Sequence, residues 1–185
     1  MSYDKKEIFT IFMAAFGGKI VIAILLVCLL FAYNKANADE GDFVLNLTIA
    51  SYHQDREYCH EGICGKRYNE NNLGLGIKYG LGDNFDLIGG FFDNSFDHTS
   101  FYVGMNIHRE FKFMDGILKI SPGIVLGGAT GYEDTPQRTY AFGLTPLAIP
   151  NINFEVNHAQ LNVGYIPAIG DGTTNVLALQ LGWKY

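Results

Sequence analysis

The segment that decides the fold is LGLGIKYGL, residues 73–81, in which large apolar residues alternate with glycine and lysine. Residues two apart lie on the same face of a β-strand, so this segment has one apolar face and one face of small or polar residues. The same alternation recurs at 43–49, 101–107, 161–165 and 177–185. The pattern predicts a protein built from strands that are apolar on one side only.

Working outward from this segment, we count eight strands, at 43–53, 73–81, 85–92, 99–108, 117–126, 140–149, 159–167 and 175–185. Strands of about 9–11 residues with an aromatic last residue are typical of outer-membrane barrels. A soluble β-sandwich or lipocalin-like barrel also alternates, but it places its polar face outside. Here the two faces are rich in Leu, Phe, Val and Tyr and in Gly, Asn, Ser and Lys, which fits lipid outside and a narrow, partly polar lumen.

The predicted fold is therefore all-β, an eight-stranded antiparallel up-and-down transmembrane β-barrel. Eight strands enclose side chains or one small ligand, which disfavours a general porin.

Residues 1–38 are interpreted as a signal peptide and residues 39–185 as the outer-membrane barrel. A basic start precedes the apolar run at 20–31, and Ala36-Asn37-Ala38 supplies small residues for cleavage. The run is shorter than the roughly 20 residues needed to span a bilayer as a helix. An uncleaved membrane anchor is the competing interpretation. We expect export to the outer membrane of a Gram-negative-type envelope.

Without residues 1–38 the chain keeps 9 basic and 17 acidic residues, a formal charge of −8. That balance argues against nucleic acid as a partner, because phosphate binding needs clustered Lys and Arg. No metal-ligand cluster or phosphate-binding glycine loop is present in the sequence, so we expect no cofactor and no metal. The expected partners are membrane lipids, and the expected state is a monomer.

Cys59 and Cys64 are the two cysteines that remain after cleavage. In an oxidising compartment they are expected to form a disulfide that closes a short loop. A zinc site that also uses His53 and His60 is the alternative.

Polar residues collect at 53–72, after the first strand, and at 93–98, after the third. Both segments follow strands that run in the same direction, so they are expected at the same rim of the barrel. A His with a hydroxyl is the minimum pair for acyl transfer. The simpler interpretation is that rim loops are polar because they meet water.

Several short motifs follow one another in the order of a known family. They are Ser51-Tyr52-His53, Tyr68-Asn69-Glu70 with Gly74-x-Gly76, Phe92-Asp93-Asn94-Ser95, Pro146-Leu147, and Tyr165-Ile166-Pro167. The ordered set resembles the outer-membrane lipid A palmitoyltransferase (PagP) family over most of the chain after residue 38. The resemblance implies a phospholipid acyl donor, a lipid A acceptor and an acyl chain held inside the barrel.

By the same resemblance, His53 and Ser95 are the catalytic candidates. Asn94 stands where the family has Asp, so it cannot orient the imidazole as a charge, but its amide could donate to an oxyanion. Asp93 and Asp97 are candidates for a substitute carboxylate.

The acyl pocket is the second feature that the resemblance implies. The small residue of its floor falls at Asn106, near Gly104, and Asn106→Gly is expected to lengthen the preferred chain. The basic residues Arg56, Lys66 and Arg67 are expected to meet lipid A phosphates. The family's amphipathic N-terminal helix and its prolines in the first two strands have no counterpart. Lipid access is therefore expected only near Pro146, Pro150 and Pro167.

The leading hypothesis is a barrel that binds a lipid acyl chain and transfers it to lipid A. The alternative is a non-catalytic barrel with a lipid-binding, adhesive or surface-modifying role. A lipid A deacylase ranks last, since Ser51-Tyr52-His53 has the reverse order of its His-x-Ser and no matching carboxylate is evident.

Overall fold

A computed structural model of the chain describes residues 41–60, 63–132, 143–168 and 173–185. The predicted signal peptide, residues 1–38, lies outside the described residues. The elements are β1 (Phe43–His53), β2 (Glu57–His60), β3 (Ile63–Arg67), β4 (Gly74–Gly82), β5 (Phe85–Asp93), β6 (Thr99–His108), β7 (Phe111–Phe113), a 3-10 turn (Met114–Gly116), β8 (Leu118–Ala129), β9 (Thr145–Val156), β10 (Ala159–Ile166) and β11 (Val176–Lys184).

Eight long antiparallel strands close into a barrel. Their order is β6-β5-β4-β1-β11-β10-β9-β8, and pairing of β6 with β8 completes the ring. The short β7 pairs with the start of β8, and β2 and β3 form a separate hairpin. The predicted fold class, an eight-stranded antiparallel transmembrane barrel, is confirmed.

The sixth barrel strand was predicted wrongly. It was expected at 140–149, but it runs from Thr145 to Val156, and the predicted start falls on residues outside those described. The strand includes both Pro146 and Pro150 and continues past them. Its second half alternates buried polar with exposed or half-buried apolar residues, which is the same period-2 pattern.

The outer face of the barrel is apolar. Every barrel strand exposes at least one large apolar side chain, among them Leu47, Leu75, Leu87, Met105, Leu126, Phe154, Leu161 and Leu181. A belt of this kind is the surface that a transmembrane barrel presents to lipid. In the part of the chain that the structure describes, no helix has the length and apolar character to cross a membrane.

The barrel has two distinct ends. The chain enters at Phe43 and leaves at Lys184 on the same end, which we call the turn end because the short connections 83–84 and 157–158 lie there. The opposite end, the loop end, carries the connection between β5 and β6 and the hairpin of β2 and β3.

Near the turn end the lumen is lined by hydrogen-bonded polar side chains around a cavity of about 470 Å³, including its mouth. Asn106 Nδ2 donates to Asp86 Oδ2 at 3.0 Å, and Asn151 Nδ2 donates to Asn106 Oδ1 at 2.9 Å. Gln160 Nε2 donates to Glu155 Oε2 at 2.6 Å. Burying polar groups is costly unless they are paired, and these hydrogen bonds offset part of that cost. We call this region the polar half of the lumen.

Toward the loop end, lumen-facing residues on β5 and β9 become small or apolar, while β1 and β11 keep a polar pair in which Gln180 Nε2 donates to Thr48 Oγ1 at 3.0 Å. On β5 the residues in phase with Asp86 are Ile88, Gly90 and Phe92, and on β9 those in phase with Asn151 are Ile149 and Leu147. Asn106 therefore lies where the polar half begins, and it belongs to the polar network. An acyl chain cannot pass Asn106 without breaking that network.

Gly104 lies close to the backbone of β8. A Cβ built on Gly104 would lie 2.7 Å from the Leu126 carbonyl oxygen, closer than real side chains approach. Gly104 therefore has a packing role, since its missing side chain admits the neighbouring strand, and its contact with lipid stays a prediction.

We predict that Gly104→Ala destabilises the barrel by about 1–3 kcal/mol, because the added methyl overpacks a fixed backbone contact. Gly89→Ala is the matched control, since its Cβ would lie 3.4 Å from the Tyr102 carbonyl oxygen, an ordinary contact. The measurement is the thermal midpoint of the heat-modifiable gel shift. Equal midpoints for the two variants would contradict the packing role.

Candidate functional site

The site lies at the loop end, where the two polar segments singled out in the sequence meet. His53 is the last residue of β1, and Ser95 follows β5 in the short connection to β6. The structure brings them together, with His53 Nε2 at 2.8 Å from Ser95 Oγ. An imidazole nitrogen at this distance can accept the hydroxyl proton when the ring carries its own proton on Nδ1.

The His53 ring is held on several sides. Only 1% of the residue is exposed, and the Tyr68 ring stacks on it with centroids 4.3 Å apart and planes within 3° of parallel. Its Nδ1 is buried and has no hydrogen-bond partner among the described residues. The nearest carboxylate contact is made by the backbone, since His53 N donates to Glu70 Oε1 at 3.3 Å.

Aromatic rings cover this pair from the solvent side. Tyr58 packs on Tyr68, and Phe96 meets both of these rings edge-on. Burial, then the Asp55 carboxylate and Tyr58, raise the pKa of Tyr68, so its hydroxyl stays protonated at neutral pH. The cover therefore presents a neutral surface to the imidazole.

A cleft of about 240 Å³, including its mouth, reaches the pair. Its lining includes His53, Ser95, Phe96, Thr174 and Val176. Among the described residues, no group of three or more His, Cys, Asp or Glu side chains could hold a metal ion. The chemistry available here is that of a hydroxyl and an imidazole.

The β2–β3 hairpin stands beside this cleft and carries the basic residues. The predicted disulfide between Cys59 and Cys64 is confirmed, so neither thiol is free to bind zinc. Arg56, Lys66 and Arg67 are all exposed. Arg67 Nε lies 4.0 Å from Glu57 Oε1, a surface ion pair that contributes little to stability.

Asn94 has no exposed surface, and its amide is fully engaged within the loop end. Nδ2 donates to Ser100 Oγ at 2.9 Å and to the Gly131 carbonyl at 2.7 Å. Oδ1 accepts from the backbone N–H groups of Phe96 and His98 at 2.9 and 3.1 Å. The expected amide contact to an acyl carbonyl is therefore not available in this structure. Asn94 instead fixes the turn that carries Ser95.

The two substitute carboxylates considered for Asn94 are not beside His53. Asp93 Oδ1 accepts from Thr99 Oγ1 at 3.3 Å on the exposed side of the turn. Asp97 is exposed and has a φ of 63° in the same turn. Neither makes a described contact with the imidazole.

Sequence reasoning missed the residues that join the two polar segments. Asn69 N donates to the Ser95 carbonyl at 2.8 Å, and Asn72 Nδ2 donates to the Asp93 carbonyl at 2.8 Å. Tyr68 and Glu70 were noted only as parts of a family motif. The signal that could have found them is the motif's place immediately before β4, the strand between β1 and β5.

Elsewhere around the ring, the barrel wall has a break in its ladder between β9 and β10. Register pairs between β9 and β10 end at Gly164 and Asn151, although β9 continues to Thr145 in full pairing with β8. Pro146 and Pro150 lie in this stretch of β9 and have no N–H to donate. In the described part of the chain, β9 is therefore unpaired with β10 from Thr145 to Pro150, and we call this stretch the seam. It lies on the side where the sequence predicted lipid access.

No protein-family profile matches the chain, and no curated protein sequence matches it. Among solved structures it is similar to a de novo designed transmembrane β-barrel, with 16% identity and a TM-score of 0.52 over 80% of this chain and 99% of that chain. It is also similar to Ail from Yersinia pestis, at 12% identity and a TM-score of 0.42 over 79% and 100% of the two chains. For outer membrane protein W of E. coli the values are 11%, 0.42, 80% and 99%. At 16% identity, the likeness to the designed barrel supports the fold and nothing finer.

We predict that Asn94→Asp destabilises the loop end by about 1–3 kcal/mol at neutral pH, because a carboxylate cannot donate to the Gly131 carbonyl. The charged form is disfavoured there, so the deficit should shrink as the pH falls toward about 4, where carboxyl groups become protonated.

Asn71→Asp is the control, since Asn71 is exposed. Amide hydrogen exchange of residues 94–98 measures the effect. Unchanged amide protection of residues 94–98 in Asn94→Asp at neutral pH would show that Asn94 does not fix this turn.

Proposed function

We propose that this protein is an outer-membrane acyltransferase that moves an ester-linked acyl chain from a phospholipid to lipid A. In this proposal His53 is the general base and Ser95 the nucleophile. The observation that carries it is the 2.8 Å contact between His53 Nε2 and Ser95 Oγ, made by residues 42 positions apart. These are the two residues that the family resemblance singles out independently.

The first half of the reaction frees the donor lipid. Ser95 Oγ gives its proton to His53 Nε2 and bonds to the acyl carbonyl carbon. The ester bond to the phospholipid oxygen breaks, and that oxygen takes the proton from Nε2. In the second half, a lipid A hydroxyl gives its proton to Nε2 and bonds to the acyl carbon. Ser95 Oγ then leaves and regains the proton.

The two lumen halves support a binding mode for the chain. The small and apolar residues of β5 and β9 below the site can accept hydrocarbon, and the polar pair of Gln180 and Thr48 and then the network at Asn106 limit its depth. The unpaired seam between β9 and β10 supplies a lateral path from the bilayer. A chain in this lumen is therefore shorter than the barrel is tall.

The acceptor would be held from the hairpin. Arg56, Lys66 and Arg67 are exposed beside the cleft, where they could pair with lipid A phosphates. This contact matters because the rest of the chain is acidic, and an acidic rim repels an anionic lipid. Placement of the loop end outside the cell follows from the same proposal.

A non-catalytic barrel is the second candidate, and one observation favours it. The polar half closes much of the lumen, and the His53–Ser95 bond by itself would tie β1 to the turn after β5. In that case the site is a structural link at the rim.

We expect Ser95→Ala and His53→Gln each to lower the rate of acyl transfer by about 10²-fold or more, because each removes one partner of the proton transfer. The assay is mass spectrometry of lipid A after incubation with phospholipid in mixed micelles. Thr99→Ala and His158→Gln are the matched controls, since they remove a hydroxyl and an imidazole away from the contact.

Folding of each variant is checked by its heat-modifiable gel shift. Lipid A that gains no acyl chain from the wild-type protein under any condition would refute the enzyme and leave the non-catalytic barrel.

A further inference from the structure

The His53–Ser95 pair lacks the third group that such pairs use. When Nε2 accepts a proton from a hydroxyl, the ring must carry a proton on Nδ1, and an acceptor on that side fixes the tautomer. In this structure Nε2 is taken by Ser95 and one face of the ring by Tyr68. The remaining edge, Nδ1, is buried without a partner among the described residues.

Asn94 cannot fill this position, because all four hydrogen-bonding positions of its amide are used, two within the turn and two toward Ser100 and Gly131. Asp93 is bonded to Thr99 on the exposed side, and Asp97 is exposed. The connection after β5 therefore brings Ser95 to the imidazole but brings no carboxylate with it.

Glu70 reaches His53 from a different direction. Regular pairing between β1 and β4 ends at Thr48 and Gly74. Beyond it, the chain before β4 still lies against β1, because Ser51 N donates to the Glu70 carbonyl oxygen at 3.0 Å. The Glu70 side chain then accepts from His53 N at 3.3 Å. Glu70 is thus half-buried and fixed beside His53 by two contacts to β1.

The Glu70 carboxylate already accepts a hydrogen bond from the backbone of the same histidine. The backbone nitrogen and Nδ1 of one histidine are only four bonds apart, so a carboxylate bonded to the first is a close neighbour of the second. A negative charge at this position stabilises the imidazolium that forms when Nε2 takes a proton.

We propose that Glu70 is the positioning residue of His53, which it orients through Nδ1–H. The inference rests on the proposed function of His53 as base. It places the orienting carboxylate on the segment before β4, and Asn94 keeps the separate role of fixing the turn that carries Ser95. The Nδ1 proton stays on the ring throughout, and only the Nε2 proton moves.

The test compares Glu70→Gln with Glu70→Asp and with Asp115→Asn, an exposed carboxylate at the opposite end of the barrel. Glu70→Gln should lower kcat by about 10²-fold with little change in KM, because substrate binding does not involve Glu70. Glu70→Asp should recover part of kcat, and Asp115→Asn should match the wild type. In a His53→Gln background, Glu70→Gln should cause no further loss.

A second readout needs no activity. In protein labelled with ¹⁵N-histidine, the His53 signals, assigned by their loss in His53→Gln, should show the Nδ1–H tautomer in the wild type and lose that preference in Glu70→Gln. An unchanged tautomer or an unchanged kcat in Glu70→Gln overturns the inference. If the wild type transfers no acyl chain, the proposed function fails, and the spectrum still decides whether Glu70 orients His53.

Discussion

The hydrogen bonds between β1 and β11 close the barrel, and the remaining architecture depends on that closure. Hydrocarbon offers no partner to a free backbone N–H or carbonyl, so a sheet can cross a bilayer only when its two edge strands meet. The pairing extends from Val44 and Lys184 at the turn end to His53 and Val176 at the loop end. The proposed base is thus the last residue of the closing strand, where its backbone is fixed by the same ladder.

Closure also divides the side chains between two environments. Alternate residues face lipid and lumen, so apolar side chains lie outside and polar ones are confined to the inside. Near the turn end several of the confined polar groups hydrogen-bond to one another, with Asn106 bonded to both Asp86 and Asn151. Toward the loop end, β5 and β9 contribute small and apolar residues beside the polar pair of Gln180 and Thr48. The lumen is therefore polar at the turn end and mixed beneath His53 and Ser95.

At the loop end, one residue fixes the turn that carries Ser95, and in our proposal a different residue orients His53. Asn94 holds the turn that presents Ser95, and it needs two donors and two acceptors for this. A carboxylate in its place would have no donor for the Gly131 carbonyl. In the arrangement we propose, the charge that an imidazolium requires comes instead from Glu70, on the segment beside β1. A positioning carboxylate and a structural amide can then occupy different connections of the same rim.

The sequence by itself determined the strands, because period-2 alternation is a local property and a lipid-facing strand must show it. The predicted sixth strand ended at residue 149, before Pro150, whereas β9 continues to Val156. A proline removes one hydrogen-bond donor without ending a strand whose other contacts persist. His53 and Ser95 could be singled out by position and resemblance. Three further contacts were decided only by the tertiary structure. The Asn94 amide is fully hydrogen-bonded at the loop end, Tyr68 stacks on His53, and Glu70 lies beside His53. These contacts join different connections of the barrel, and no local period records which backbone segments closure places side by side.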